Sequence, residues 1–245
     1  MLAVIGGSGL SQLANLEDVR RQVVRTPYGE PSSPLAHGLL RGNGIVFLAR
    51  HGYGHTIPPH QVNYRANIWA LKNAGARSIV SVVSVGGIKQ DFGPGVLLVP
   101  DQIIDYTTGR RSTYFEDGVA PVTHIDFTHP YSAGLRQRLL DAARACGQTV
   151  VDGGTYATTQ GPRLETAAEI NRLERDGADI VGMTGMPEAA LARELDLDYA
   201  AIAVVANHAA GRGDSDNAVA LDRIAAVLEE AMGRVRRIIE FLAQA

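Results

Sequence analysis

The chain has 245 residues, 45% of them hydrophobic and 20% charged, with a formal net charge of −3. That composition supports a packed core and excludes disorder of the whole chain, and the mild acidity argues against a nucleic-acid partner held by bulk positive charge. The single cysteine, Cys146, fits a reducing compartment, Met1 to Gly9 lacks the basic leader of a signal peptide, and no apolar run approaches the ~20 residues of a membrane helix, so a soluble, cytoplasmic protein without a membrane partner is expected. No repeat and no linker rich in Pro, Gly and Ser divides the chain, which predicts one domain over residues 1–245.

A short apolar strand is predicted over 2–5, running into Gly6-Gly7-Ser8-Gly9. Glycines around a hydroxyl let the backbone fold closely about an anion, although a simple tight turn has the same composition. The dinucleotide fingerprint is excluded, because Gln12 stands where its third glycine belongs. A second strand over 45–49 ends in Arg50-His51-Gly52. The planar fork of a guanidinium suits phosphate; the alternative is a surface arginine beside a capping histidine. His51, His55 and His60 raise the question of zinc, but Gly52, Gly54, Pro58 and Pro59 break any helix that would align them, so no metal is expected. A helix follows over 63–74, ended by Gly75, and then strands over 78–85 and 96–99. The run Ile79, Val80, Val82, Val83, Val85 has little polar alternation, as a strand covered on both faces requires.

Leu135, Leu139, Leu140 and Ala143 mark the next helix, with Gly147 just past its end. The segment Gln160-Gly161-Pro162-Arg163-Leu164-Glu165-Thr166 turns sharply into a helix through Ala167, Ala168 and Ile170. Glu165 there either favours the helix dipole or accepts from a ligand N–H. A strand over 180–183 leads into Met183-Thr184-Gly185-Met186 and a helix opened by Pro187. Thr184 either caps that helix or binds an anion at its positive end. The most apolar strand, over 199–206, is followed by Asn207, whose amide matches a carbonyl beside a ring nitrogen or simply forms a turn. Ile224, Val227, Leu228, Ala231, Val235, Ile238, Ile239 and Leu242 then form one apolar stripe of a long C-terminal helix. Strands alternating with helices predict an α/β fold, with the polar loops at the carboxyl ends of the strands.

Read together, Ile5-Gly6-Gly7-Ser8-Gly9, Thr26-Pro27-Tyr28-Gly29, Ala49-Arg50-His51-Gly52, Val62-Asn63-Tyr64-Arg65-Ala66-Asn67, Gln160-Gly161-Pro162-Arg163 and Met183-Thr184-Gly185-Met186-Pro187-Glu188 resemble the trimeric purine nucleoside and methylthioadenosine phosphorylases. The likeness runs in order from residue 2 to about residue 240 and is strongest to the bacterial S-methyl-5′-thioinosine phosphorylases. It implies a single-domain phosphorylase fold with a mixed, partly barrel-like central β-sheet flanked by helices. It also implies a homotrimer, and inorganic phosphate as cosubstrate with no metal or other cofactor.

By the same resemblance Ser8, Arg50, His51 and Thr184 hold phosphate, with Arg50 and the imidazole neutralising it. Met183, Leu164, Glu165, Asn207, His208 and Ala209 bind the nucleoside, and Asn207 and His51 are the catalytic residues. Relatives that cleave 6-amino purines tend to carry serine at the Glu165 position and aspartate at the Asn207 position, so Glu165 with Asn207 suits a 6-oxopurine. Leu221 and Ile224 would form an apolar wall for a methylthio group, and His124 would reach the 5′ region of a neighbouring subunit. The expected reaction is phosphorolysis of S-methyl-5′-thioinosine to hypoxanthine and 5-methylthioribose 1-phosphate. The alternatives are a phosphorylase for inosine and guanosine, one for methylthioadenosine, or, outside the family, a metal-dependent hydrolase or a non-catalytic nucleoside-binding module.

Overall fold

A computed structural model describes residues 1–116, 118 and 121–244 of the chain. β1 (Leu2–Gly6) is followed by β2 (Glu17–Gln22), β3 (Leu35–Leu40) and β4 (Asn43–Ala49), then α1 (Tyr64–Asn73) and the long β5 (Ser78–Gly87). Short strands β6 (Leu97–Val99) and β7 (Gln102–Asp105) precede α2 (Ala133–Ala145). β8 (Val151–Asp152), β9 (Thr155–Thr158), α3 (Ala167–Arg175), β10 (Ile180–Gly182), α4 (Glu188–Glu194), β11 (Asp198–His208) and α5 (Leu221–Leu242) complete the order. The helix ends follow local chemistry. Asn63 and Ser132 accept at the N-termini of α1 and α2, and Gly75 and Gly147 adopt φ of +89° and +70° just past their C-termini. Pro187 sits one position earlier than expected, as the residue before α4 rather than its first.

β5 and β11 run parallel along nearly their whole length, and both are almost fully buried. Their alternation sorts side chains into two cores. Ile79, Val83, Val85, Ala201, Ala203 and Val205 face α1 and α4, while Val80, Val82, Ala200, Ile202 and Val204 face α2 and α5. Of the stripe predicted on α5, Leu228, Ala231, Val235, Ile238, Ile239 and Leu242 are buried and Ile224 and Val227 half-buried, and Met232, outside the predicted set, is buried with them.

The sheet is mixed, and it branches at β5. The first half of that strand pairs in parallel with β1, whereas Gly86 and Gly87 at its end pair antiparallel with β10. β10 continues to β9 and β9 to β7, while β11 leads through β6 to β8. β6 and β7 are two stretches of one extended chain, as are β8 and β9, so the pairings close on themselves through β5, β11, β6/β7, β8/β9 and β10. This is the barrel-like part expected above. β1, β4, β3 and β2 extend from it as an open wing. Among the described residues no helix is long and apolar enough to cross a membrane.

Candidate active site

A cavity of about 410 Å³ opens where the ends of β1, β4, β5, β10 and β11 converge, a size suited to a small-molecule ligand. The expected residues Ser8, Arg50, His51, Leu164, Glu165, Met183, Thr184, Asn207, Ala209 and Ile224 all line it. β1, β4, β5 and β11 run parallel and deliver their carboxyl-terminal loops to one edge, and β10, antiparallel to the end of β5, brings Met183 and Thr184 to the same place.

At one end, the Gly6-Gly7-Ser8 loop lies directly on β5 and the Arg50 side chain. A Cβ on Gly7 would come within 2.6 Å of the Val82 carbonyl and 2.8 Å of Arg50 Nη1, so glycine is required there for the approach. Arg50 is no surface residue; it is 1% exposed. Its Nε donates to Glu188 Oε2 at 2.8 Å, Nη2 to Glu188 Oε1 at 2.9 Å and to Ser81 Oγ at 2.6 Å, and Nη1 to the Val82 carbonyl at 3.1 Å. Four of the five N–H groups of the fork are thus taken by these contacts, and one on Nη1 remains beside the cavity. Burial acts to lower the Arg50 pKa, but the charge and hydrogen bonds of Glu188 hold it above its ordinary value. Glu188 also accepts from Ser81 Oγ and Tyr199 Oη, which satisfies a carboxylate that is wholly buried.

His51, expected to help neutralise a phosphate, is held neutral in the fold. Its pKa is lowered to about 4, first by burial and then by the neighbouring Arg50 charge. Nδ1 lies 2.8 Å from the Ile57 carbonyl, and a carbonyl only accepts. The proton therefore sits on Nδ1, and Nε2 is a bare acceptor. Around Arg50 the cavity consequently offers a compensated ion pair, a neutral imidazole and the hydroxyls of Ser8, Ser84 and Thr184. Thr184 caps nothing, since α4 has no side-chain cap. Ser8 Oγ lies 3.5 Å from His55 Nε2, a second lining histidine.

At the other end, Glu165 and Asn207 face the same space. The capping box of α3 is made by Thr166 and Glu169, which relieves Glu165 of that task. Glu165 Oε1 accepts from Thr159 Oγ1 at 2.6 Å, fixing the carboxylate. Asn207 follows a register shift in β11, and its Nδ2 donates to the His208 carbonyl at 2.6 Å. One amide hydrogen and the carbonyl oxygen are left for a ligand. Met183 packs against Gly161, where φ is +59° and a Cβ would lie 2.4 Å from the thioether sulfur.

Other expectations are corrected. His208 does not line the cavity: its ring packs on Gly93 and Gly213, and Nδ1 lies 3.4 Å from the Asp214 amide. Leu221 is 66% exposed and faces away, while Ile224 and Val219 form the wall instead. His124 is not among these corrections: expected to reach a neighbouring subunit rather than this cavity, it is exposed on the segment between β7 and α2. Sequence reading missed Glu188 as the partner of Arg50, 138 residues away, because nothing in a linear pattern marks a helix-start acid as buried. His55, weighed above only as a zinc ligand, also lines the cavity, as does Val219. Among the described residues, no three His, Cys, Asp or Glu side chains gather as a metal would require.

A family model described as "Phosphorylase superfamily" matches residues 1–243. Over 214 residues the chain is 58% identical to a protein of Xanthomonas campestris pv. campestris named "Probable S-methyl-5'-thioinosine phosphorylase", covering 87% of this chain and 86% of that one. It is 46% identical over 215 residues to the "6-oxopurine nucleoside phosphorylase" of Pyrococcus furiosus, covering 86% and 80%. Among solved structures, methylthioadenosine phosphorylase from Schistosoma mansoni in complex with adenine superposes with a TM-score of 0.93 at 33% identity, covering 99% of this chain and 90% of that chain.

Proposed function

The chain belongs to the phosphorylase superfamily, and from that premise we propose that it cleaves S-methyl-5′-thioinosine with inorganic phosphate, releasing hypoxanthine and 5-methylthioribose 1-phosphate. The observation that supports this reading is a single cavity lined by Arg50 and the hydroxyl residues Ser8, Ser84 and Thr184, by Glu165 and Asn207, and by the apolar Met183, Val219 and Ile224. Phosphate is the only cosubstrate, and the working assembly is a homotrimer in which His124 of one copy approaches the 5′ region of its neighbour.

A phosphate oxygen attacks C1′ as the C1′–N9 bond breaks, and the bond electrons leave with the purine. Ser8, Thr184 and the remaining Arg50 N–H align the nucleophile, which is catalysis by positioning. His51 Nε2, an acceptor, takes the hydrogen bond of the phosphate O–H rather than donating to the anion. The departing hypoxanthine takes a proton from solvent at N7, balanced by the O–H proton that the phosphate releases to solvent once esterified; the Asn207 oxygen accepts from this N7–H, while the remaining amide hydrogen of Asn207 donates to O6. Glu165 accepts from N1–H. A 6-amino purine presents no N1–H, so Glu165 keeps its bond from Thr159 but loses the one from the ligand, at a cost of about 1–3 kcal/mol.

The test is release of free base from S-methyl-5′-thioinosine, inosine and methylthioadenosine, with and without phosphate. Phosphate-dependent hypoxanthine, formed fastest from the methylthio substrate, is expected. Faster cleavage of inosine makes the protein a general 6-oxopurine phosphorylase, and release in phosphate-free buffer makes it a hydrolase. Binding without release leaves a nucleoside-binding module.

A further inference from the structure

Arg110 lies on the long connection between β7 and α2, outside the cavity and half-buried. Its guanidinium is directed wholly at the backbone and side chains behind two cavity loops. Nη1 donates to the Met183 carbonyl at 2.8 Å, the Met186 carbonyl at 2.6 Å and Tyr64 Oη at 3.2 Å. Nη2 donates to the carbonyls of Thr159 at 3.3 Å and Gln160 at 3.0 Å, and Nε to Gln160 Oε1 at 3.2 Å. The first group of carbonyls belongs to the loop that presents Met183 and Thr184, and the second to the loop that presents Leu164 and Glu165. Tyr64 Oη in turn donates to the carbonyl of Pro59, a residue of a third lining loop. Among the described residues no carboxylate lies within ion-pair distance of Arg110, so its charge is met by carbonyl dipoles together with the hydroxyl and ring face of Tyr64.

We propose that Arg110 is a positioning residue, a clamp that sets the distance between the base-facing loop and the loop at the sugar and phosphate, an inference that rests on the phosphorolytic reading above. The planar fork matters: one side chain reaches two separate loops in a fixed geometry, which the point charge of lysine cannot reproduce. A misplacement of about 1 Å between reacting groups costs on the order of 10²-fold in rate.

The experiment compares wild type, Arg110→Ala, Arg110→Lys and a control, Arg234→Ala. Arg234 also gathers carbonyls, of Gly95 and Thr149, but on a surface away from the cavity loops. Arg110→Ala is expected to lose on the order of 10²-fold in kcat with a smaller change in KM for phosphate. Added guanidinium should restore about ten-fold of that loss, saturably, as regained charged hydrogen bonds would. Arg110→Lys, which keeps the charge, should remain impaired, and Arg234→Ala should keep its kcat and ignore guanidinium. Hydrogen exchange, which needs no turnover, should quicken in peptides covering 159–165 and 183–186 together. Wild-type kcat in both Arg110 variants, unchanged exchange in either loop, or a loss that merely follows melting temperature would overturn the clamp. Should Arg110→Ala fail to fold, Arg110→Lys alone decides. Failure of wild type to release base would instead reject the phosphorolytic reading, with the exchange data still judging the clamp.

Discussion

Arg50 shows how a buried cation is used without being left bare. Glu188 takes two of its N–H groups, and removing either partner from such a buried pair costs about 3–5 kcal/mol, because the survivor's charge is then uncompensated. The pair therefore fixes the direction of the last Nη1 hydrogen more than it adds positive field, and in the proposed reaction the hydroxyls of Ser8 and Thr184 are the other donors. His51 beside it has a consequence that can be measured. Its pKa is about 4 in the fold against 6.5 for a free side chain. Between those values the unfolded chain holds a proton that the folded chain refuses, so stability is intact above pH 6.5 and falls as pH drops toward 4. From pH 7 to pH 4.5 this one group should remove about 2–3 kcal/mol. Urea unfolding of wild type and His51→Gln at the two pH values isolates the effect: the variant should lose that much less stability on acidification. An identical pH slope in both proteins would show that the ring is not held neutral.

At the level of elements, the first turn of α5 decides which apolar side chain meets the cavity. Leu221 and Ile224 are three residues apart, so both lie on neighbouring helical positions, and periodicity cannot say which one meets a ligand. The helix is set so that Ile224 lines the cavity and Leu221 faces water. Replacing Ile224 by Asn should lower the ratio of kcat/KM for S-methyl-5′-thioinosine over inosine by about 10–200-fold, the usual worth of one apolar pocket contact. Leu221→His should leave that ratio unchanged, and a shift there would return Leu221 to the wall. The same limit explains what else was legible. β5 and β11 announced themselves because strands covered on both faces read as unbroken apolar runs. β2, Glu-Asp-Val-Arg-Arg-Gln, is exposed throughout and carries no such signal, and β7, β8 and β9 are two to four residues long, too short to show a period. Arg50, Thr184, Glu165 and Asn207 were legible as site residues because glycines and strand ends surround them in the sequence. Glu188 and Arg110 were not, since their roles exist only through partners more than 40 residues away.

In the whole molecule the site is a product of closure. The cavity draws on loops after β1, β4, β5, β9, β10 and β11 and on the start of α5, so its walls come from residues 7 to 224. No part of the chain can form the site alone, and a ligand filling it must favour the folded state as a whole. With phosphate present and hypoxanthine at about 100 times its Kd, the linkage gain is about 2.7 kcal/mol. For a chain of this size that corresponds to a rise of about 5–10 °C in Tm. Thermal melts with phosphate alone, hypoxanthine alone and both together should show the largest rise with both, because each ligand holds loops that face the other. A chelator should change neither the melting temperature nor this rise, as the donors assigned to phosphate are N–H and O–H groups that hold an anion directly. A fall in Tm on chelation, recovered with zinc, would instead assign His51 and His55 to a metal. A melt indifferent to both ligands would mean that the converging strand ends enclose no purine and phosphate site at all.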